Sequence, residues 1–262
     1  MVRLSLISRL SRNSGPRRRC PGGRPRRGSP STSTSRTDLW LPYIKDFVQP
    51  WRAQLGEAHR PLRVASICSG VAPEYLFEEL FGIPCHFVFT CDSKMAAYKF
   101  LELNGCRSDH HFTSAAELCM KGAGVCARHN FSTCACDEEP LDLLVAGITC
   151  RPYSQARLGR FSAGTGAHEE CGLVECFIQA LRRFKPRKAI LENVVGFTMA
   201  ESGSDRTAPY QRLVTRMREE FGETYILTCF VLAAETWLVW KRRRIYIICT
   251  RELAGGAPST RS

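Results

Sequence analysis

With 262 residues, 44% of them hydrophobic and 24% charged, the chain suits one large globular domain and is too apolar for wholesale disorder. Its formal net charge of +12 suggests a polyanionic partner, but residues 1–37 hold ten arginines and no acidic residue, so the remainder is nearly balanced and attraction to phosphate sits mainly in that arm. No run of 18 apolar residues occurs, so no membrane-spanning helix and no membrane partner are expected.

Residues 1–37 include PRRRCPGGRPRRGSPSTSTS. A stretch so rich in Arg, Ser, Pro and Gly can bury little to offset the entropy of ordering, and a disordered arm is expected. Its composition fits a nuclear import signal, an organelle transit segment for chloroplast or mitochondrion, or a phosphate-binding tail. The nucleus is the first expectation and an organelle the alternative. The apolar part of MVRLSLISRLSR is short and broken by arginine, unlike a secretory signal, so the fourteen cysteines are expected as intracellular thiols.

Residues 38–60 read as a connecting helical segment. From there, LRVASI (62–67) and CHFVFT (85–90) predict strands with a helix at 73–81 between them, and a second helix follows at 94–104. The continuous apolar run LDLLVAGI (141–148) predicts a buried parallel strand, and KAILE (188–192) another. Between them Leu173, Phe177, Ala180, Leu181 and Phe184 recur at helical spacing; Tyr210, Leu213, Val214, Met217 and Phe221 form a second such stripe. YILTCFVL (225–232) and RIYIIC (244–249) close the series as strands, and 253–262 reads as a flexible tail. Alternating strands and helices imply an α/β fold over 61–252, a doubly wound, mostly parallel sheet covered on both faces.

Ligands of such sheets bind at the carboxyl ends of the strands. After the first strand, CSGVAPEYL (68–76) offers Ser69 and Gly70 for close approach to a cofactor; after the second, Asp92 stands where an acid can bond ribose hydroxyls. A turn glycine and a strand-end acid are also common without any ligand. The absence of GxGxxG speaks against a dehydrogenase. The loop after LDLLVAGI reads TCRPYS (149–154), KAILE runs into ENVVGF (192–197), and WKRRRIYII (240–248) leads into the last strand.

In these three motifs, their order and their spacing, residues 61–252 resemble the cytosine-5 DNA methyltransferase family. The resemblance implies a Rossmann-like fold of the S-adenosylmethionine-dependent methyltransferase type, with that molecule as methyl donor and DNA as partner. It also implies Cys150 as the nucleophile that adds to ring carbon 6, Glu192 as the carboxyl group near ring nitrogen 3, and Arg244 near the cytosine carbonyl oxygen with Arg242 in support. Ser69, Gly70, Asp92 and Ser114 then fall at the cofactor. RNA stays open as a substrate, as does a methyltransferase-like binding module without turnover.

Some residues depart from the family pattern. Thr149 replaces a proline, Arg151 and Trp240 stand at glutamine positions, and Ser114 occupies the place of an acid that binds the adenine amino group. The sequence ends 14 residues after Ile248, without room for the family's target-recognition domain; a truncated product, an inactive remnant or a partner chain supplying target recognition are the expectations. Separately, Cys119, Cys126, His129, Cys134 and Cys136 crowd one stretch, with His110 and His111 just upstream. These residues suit a structural zinc, with a loop of reduced, unligated thiols as the default.

Overall fold

The computed structural model describes residues 3–4, 45–46, 48–50, 60–137, 139–151, 153–154, 172–200, 207–233 and 242–252. In chain order the strands are β1 (Arg3–Leu4), β2 (Leu62–Ile67), β3 (Cys85–Cys91), β4 (His110–Phe112), β5 (Ala123–Cys126), β6 (Ser132–Ala135), β7 (Leu143–Ala146), β8 (Lys188–Val194), β9 (Tyr225–Ala233) and β10 (Arg243–Arg251). The α-helices are α1 (Leu76–Phe81), preceded by a 3-10 turn at Pro73–Tyr75, then α2 (Met95–Leu103), α3 (Ala115–Lys121), α4 (Gly172–Phe184) and α5 (Pro209–Phe221). Residues 45–46 and 48–50 are helical. The rest of the expected arm at 1–37, most of the 38–60 segment, Trp240 and the 253–262 tail lie outside the described residues.

The described strands form one sheet in the order β1-β9-β10-β8-β7-β2-β3-β4-β5-β6. Its centre, from β8 through β7, β2 and β3 to β4, is parallel, whereas β10 runs against both β8 and β9. At the other edge β4, β5 and β6 form an antiparallel ribbon. The chain steps outward from β2 to β3 and β4, then returns to lay β7 on the other side of β2. That reversal makes the sheet doubly wound and Rossmann-like, and it opens a crevice at the carboxyl ends of β2 and β7.

Burial explains why these segments form these elements. Val64, Ala65, Ser66 and Ile67 of β2 are all buried, as a central strand covered on both faces requires. The helical stripe of α4 buries Phe177, Ala180, Leu181 and Phe184, the two phenylalanines and the leucine contributing roughly 1.5–3 kcal/mol apiece. Phe184 reaches Phe89 of β3 with ring centroids 5.0 Å apart. Helix α5 buries Leu213, Val214 and Met217 of its stripe. At the amino end of β7, Asp142 is 7% exposed; it accepts hydrogen bonds from Arg60 Nη1 at 2.6 Å, Arg60 Nη2 at 2.9 Å and the Arg63 amide at 3.0 Å. No helix among the described residues is long and apolar enough to cross a membrane.

Candidate active site

The loop after β2 is built from unusual backbone. Cys68, Gly70 and Ala72 all have positive φ, at 54°, 54° and 43°, and non-glycine residues in this region mark stored strain. The loop is tied to the end of β3: the Ser69 amide donates to Cys91 O at 3.0 Å, and Gly70 N donates to Asp92 Oδ2 at 2.9 Å. Asp92 Oδ1 accepts from the Lys94 amide at 2.8 Å. Each carboxylate oxygen still has a lone pair for a ligand hydroxyl.

Across the reversal, Gly147 follows β7. Its amide donates to Ile67 O at 3.1 Å, and a Cβ there would meet Cys68 O at 3.4 Å, so the backbones of the two loops nearly touch. The chain then turns through Thr149 and Cys150, with the Tyr153 amide donating to Cys150 O at 3.0 Å. Tyr153 is buried, and its ring meets Phe197 edge-on at 4.8 Å. This contact fastens the Cys150 loop to the 3-10 turn Val195–Thr198 that follows β8.

Glu192 and Arg244 meet through strand register. Tyr246 pairs with Glu192 and Arg244 with Val194, so Arg244 lies diagonally from Glu192 on the same face of the ladder. Arg244 Nε stands 2.8 Å from Glu192 Oε1, with the side chains 20% and 28% exposed. Burial first, and then the Glu192 carboxylate, push the Tyr246 phenol upward, so it stays protonated.

These loops enclose a cavity of about 480 Å³ lined by Asp92, Ser93, Lys94, Cys150, Glu192, Arg242 and Arg244, among others, within the roughly 300–1,000 Å³ typical of small-molecule sites. All four residues expected in catalysis therefore share one cavity with Asp92. Two further thiols, Cys68 and Cys91, also line it. Cys91 is fully buried, and burial, followed by Cys68 and Asp92, holds its thiol far above the usual range. Cys150, half-buried, lines the same cavity as Glu192.

Other expected residues have local duties. Ser69 is buried; its hydroxyl accepts from Cys91 N at 3.0 Å and lies within donating range of Ser66 O and Cys91 O, a brace between strand ends, and it is not among the cavity's lining residues. Ser114 is the N-cap of α3, accepting from Glu117 N at 3.3 Å, and its neighbour Ala115 is the residue that lines the cavity. Lys94, at the cavity wall, was not anticipated.

The expected set of five metal ligands needs correction. Cys126, His129 and Cys134 come together, but their fourth companion is His110. Cys119 is buried in α3 and is not among the clustered ligands; the neighbouring Cys176 thiol and burial push its own thiol upward. Cys136 is 6% exposed and packed in the main core.

Fold and crevice thus define a Rossmann-like α/β protein with a ligand-sized site at the reversal of its sheet. The chain belongs to the C-5 cytosine-specific DNA methylase family, whose model matches residues 120–256. That stretch includes Cys150, Glu192, Arg242 and Arg244, while Ser69, Gly70, Asp92 and Ser114 precede it. The Type II methyltransferase M.SacI of Streptomyces achromogenes is 26% identical over 111 residues, 42% of this chain and 27% of that protein; the match spans little more than a quarter of the relative's length. Among solved structures, the S. pombe Dnmt2 methyltransferase is similar at 16% identity with a TM-score of 0.46, covering 75% of this chain and 51% of that one. A putative DNA modification methyltransferase encoded within a prophage (E. coli) is similar at 17% identity with a TM-score of 0.49, covering 72% and 47%.

Proposed function

We propose that this protein methylates carbon 5 of cytosine in DNA through a covalent adduct on Cys150, with S-adenosylmethionine as donor. The observation that carries the reading is the convergence of Cys150, Glu192, Arg242 and Arg244 on the cavity that also holds Asp92, together with the Arg244–Glu192 pair.

The residues fit the donor. Asp92 lines the cavity and is already oriented by two backbone amides, one of them from Gly70; Gly70 itself is not among the lining residues, though no atom lies within 4 Å of where its Cβ would project. Asp92 would hold ribose hydroxyls there, and Ser93 would line the same wall. When bound, S-adenosylmethionine supplies an electrophilic methyl group.

The chain's own residues prepare the acceptor. Cytosine carbon 5 is a weak nucleophile, and addition of Cys150 Sγ to carbon 6 converts the ring to an enamine that is reactive at carbon 5. Charge then builds toward ring nitrogen 3 and the carbonyl oxygen. Glu192 holds a proton at nitrogen 3, and Arg244, fixed against Glu192, donates to the carbonyl oxygen, with Arg242 adding positive charge at the wall. Loss of the carbon 5 proton and cleavage of the Sγ–carbon 6 bond return free Cys150 and the methylated base. Both attacked atoms lie inside a stacked duplex, so the base has to enter the cavity flipped.

The test is trapping with labelled S-adenosylmethionine and an oligonucleotide containing 5-fluorocytosine, whose carbon 5 cannot release a proton. The expected result is a labelled adduct with DNA that disappears in Cys150→Ser. Trapping with an RNA oligonucleotide alone would transfer the proposal to RNA. No adduct with either, from a protein that still binds the donor, would replace the enzyme with a binding module.

A further inference from the structure

A second cluster lies at the edge of the sheet, away from the cavity. One ligand atom from each of His110, Cys126, His129 and Cys134 lies within 4.8 Å of all the others. The four come from adjacent pieces of backbone: His110 opens β4, Cys126 ends β5, His129 ends the 3-10 turn Ala127–His129, and Cys134 sits in β6. Register brings them together, since Phe112 pairs with Cys126 and Gly124 with Cys134. His129 Nδ1 stands 3.2 Å from Cys134 Sγ, and the His110 and His129 rings meet edge-on at 4.9 Å. None of the four lines the candidate active site.

Two observations point to a ligand. Nδ1 of His110 is buried without a hydrogen-bond partner, a costly state for a ring nitrogen. The turn between the ligands is also strained, because Asn130 and Phe131 both take left-handed backbone, at φ 53° and 59°. Phe131 is 56% exposed, and three of the four residues of β6 are exposed, so apolar burial does little to hold this hairpin in that shape.

We propose that His110, Cys126, His129 and Cys134 bind one zinc-type divalent cation, which staples the β5–β6 hairpin to β4. Two thiolates and two imidazoles are the donor set zinc prefers, and four protein ligands make a closed, structural site rather than a catalytic one. Bonds of about 2.3 Å to sulfur and about 2.0–2.1 Å to nitrogen set ligand atoms about 3.3–3.8 Å apart in a tetrahedron. The observed cluster reaches that geometry with movements of about 1 Å or less. Binding releases two thiol protons to solvent.

The experiment uses the full chain, stripped of metal and titrated with cobalt(II). The expected result is tetrahedral visible absorption with a thiolate-to-cobalt charge-transfer band, saturating at about one ion per chain and displaced by zinc. Cys134→Ser and His110→Ala should weaken binding at least about tenfold, Cys134→His should restore it, and Cys106→Ser, a thiol outside the cluster, should leave it unchanged. Folding is checked in chelator, where Cys134→Ser should unfold at the same urea concentration as the parent, while zinc stabilises only the parent. A folded parent without the cobalt spectrum, or a spectrum that survives in Cys134→Ser or is lost in Cys119→Ser instead, would overturn the proposal.

Discussion

Replacing Asp142 with alanine tests how the strand that ends in the Cys150 loop is anchored. The carboxylate is 7% exposed and accepts three hydrogen bonds, two from Arg60 and one from the Arg63 amide of β2. Arg60 is more than half exposed, so its guanidinium returns to water and screening limits its share. The Arg63 amide is left without its acceptor near the sheet. Losing charge-assisted bonds and stranding that amide costs about 2–4 kcal/mol. With a urea slope of about 2 kcal/mol per molar, the midpoint falls by about 1–2 M. Burial alone would raise the Asp142 pKa, but Arg60, the Arg63 amide and Arg187 outweigh it and hold the carboxyl below its ordinary value. A depressed folded pKa gives stability that is full above the unfolded carboxylate range and lost as pH falls through the folded value. The parent should therefore lose stability in acid below that range, and Asp142→Ala should lose less. Because Asp142 lies at the amino end of β7, donor binding at the carboxyl end should persist wherever the variant is folded. A midpoint within about 0.3 M of the parent, with an unchanged acid limb, would refute the reasoning.

Further substitutions probe the cavity and the core beside it. Glu192→Gln should lower methyl transfer by at least about a hundredfold with donor affinity unchanged by calorimetry; equal loss of both would contradict its role. Asp92→Ala removes the acceptor for Gly70 and Lys94 amides and should weaken donor binding about tenfold, or about 1.4 kcal/mol, and an unchanged dissociation constant removes Asp92 from the ribose. Phe197→Ala takes away the ring that Tyr153 packs against; thermal unfolding should show a loss of about 3–5 kcal/mol, and trapping through Cys150 should slow at temperatures where the protein stays folded. Glu74 is 8% exposed, and burial raises its pKa against a countering bond to Ser66. Its stabilising contribution is full below the ordinary glutamate range and is lost as pH rises through the raised value, so Glu74→Gln should melt higher at neutral pH and show no such decline. An identical pH profile would count against a buried carboxyl there.

Long elements were legible because burial imposes a period. LRVASI is β2 residue for residue, and the two helical stripes fall in α4 and α5. The stretch from His110 to Cys136 gave no element, because β4 has three residues, β5 and β6 four each, and their cysteines and histidines carry no apolar rhythm. One signal was present there: Ser114 followed by Glu117 is the Ser-x-x-Glu pattern of a helix start, which is the role Ser114 has. The metal set went astray for a related reason. Cys119 and Cys136 are close in sequence to the other thiols, but both are buried in the main core, whereas His110 joins the cluster only through β4–β5 pairing, which sequence distance cannot reveal. Cys150, Glu192 and Arg244 were legible from motifs, yet the Glu192–Arg244 contact depends on the diagonal register of β8 and β10, and Cys150 reaches the same cavity from the loop after β7. The strained backbone at Cys68 and Ala72 had no signature, since neither is a glycine.

The most direct measurement is peptide mapping by mass spectrometry of the complex trapped on a 5-fluorocytosine oligonucleotide. A single cross-linked peptide is expected, with the modified base carrying the transferred methyl group and joined to Cys150. A cross-link through Cys68 or Cys91, or an unmodified Cys150 when the fluorinated base already carries the transferred methyl group, would contradict the assignment.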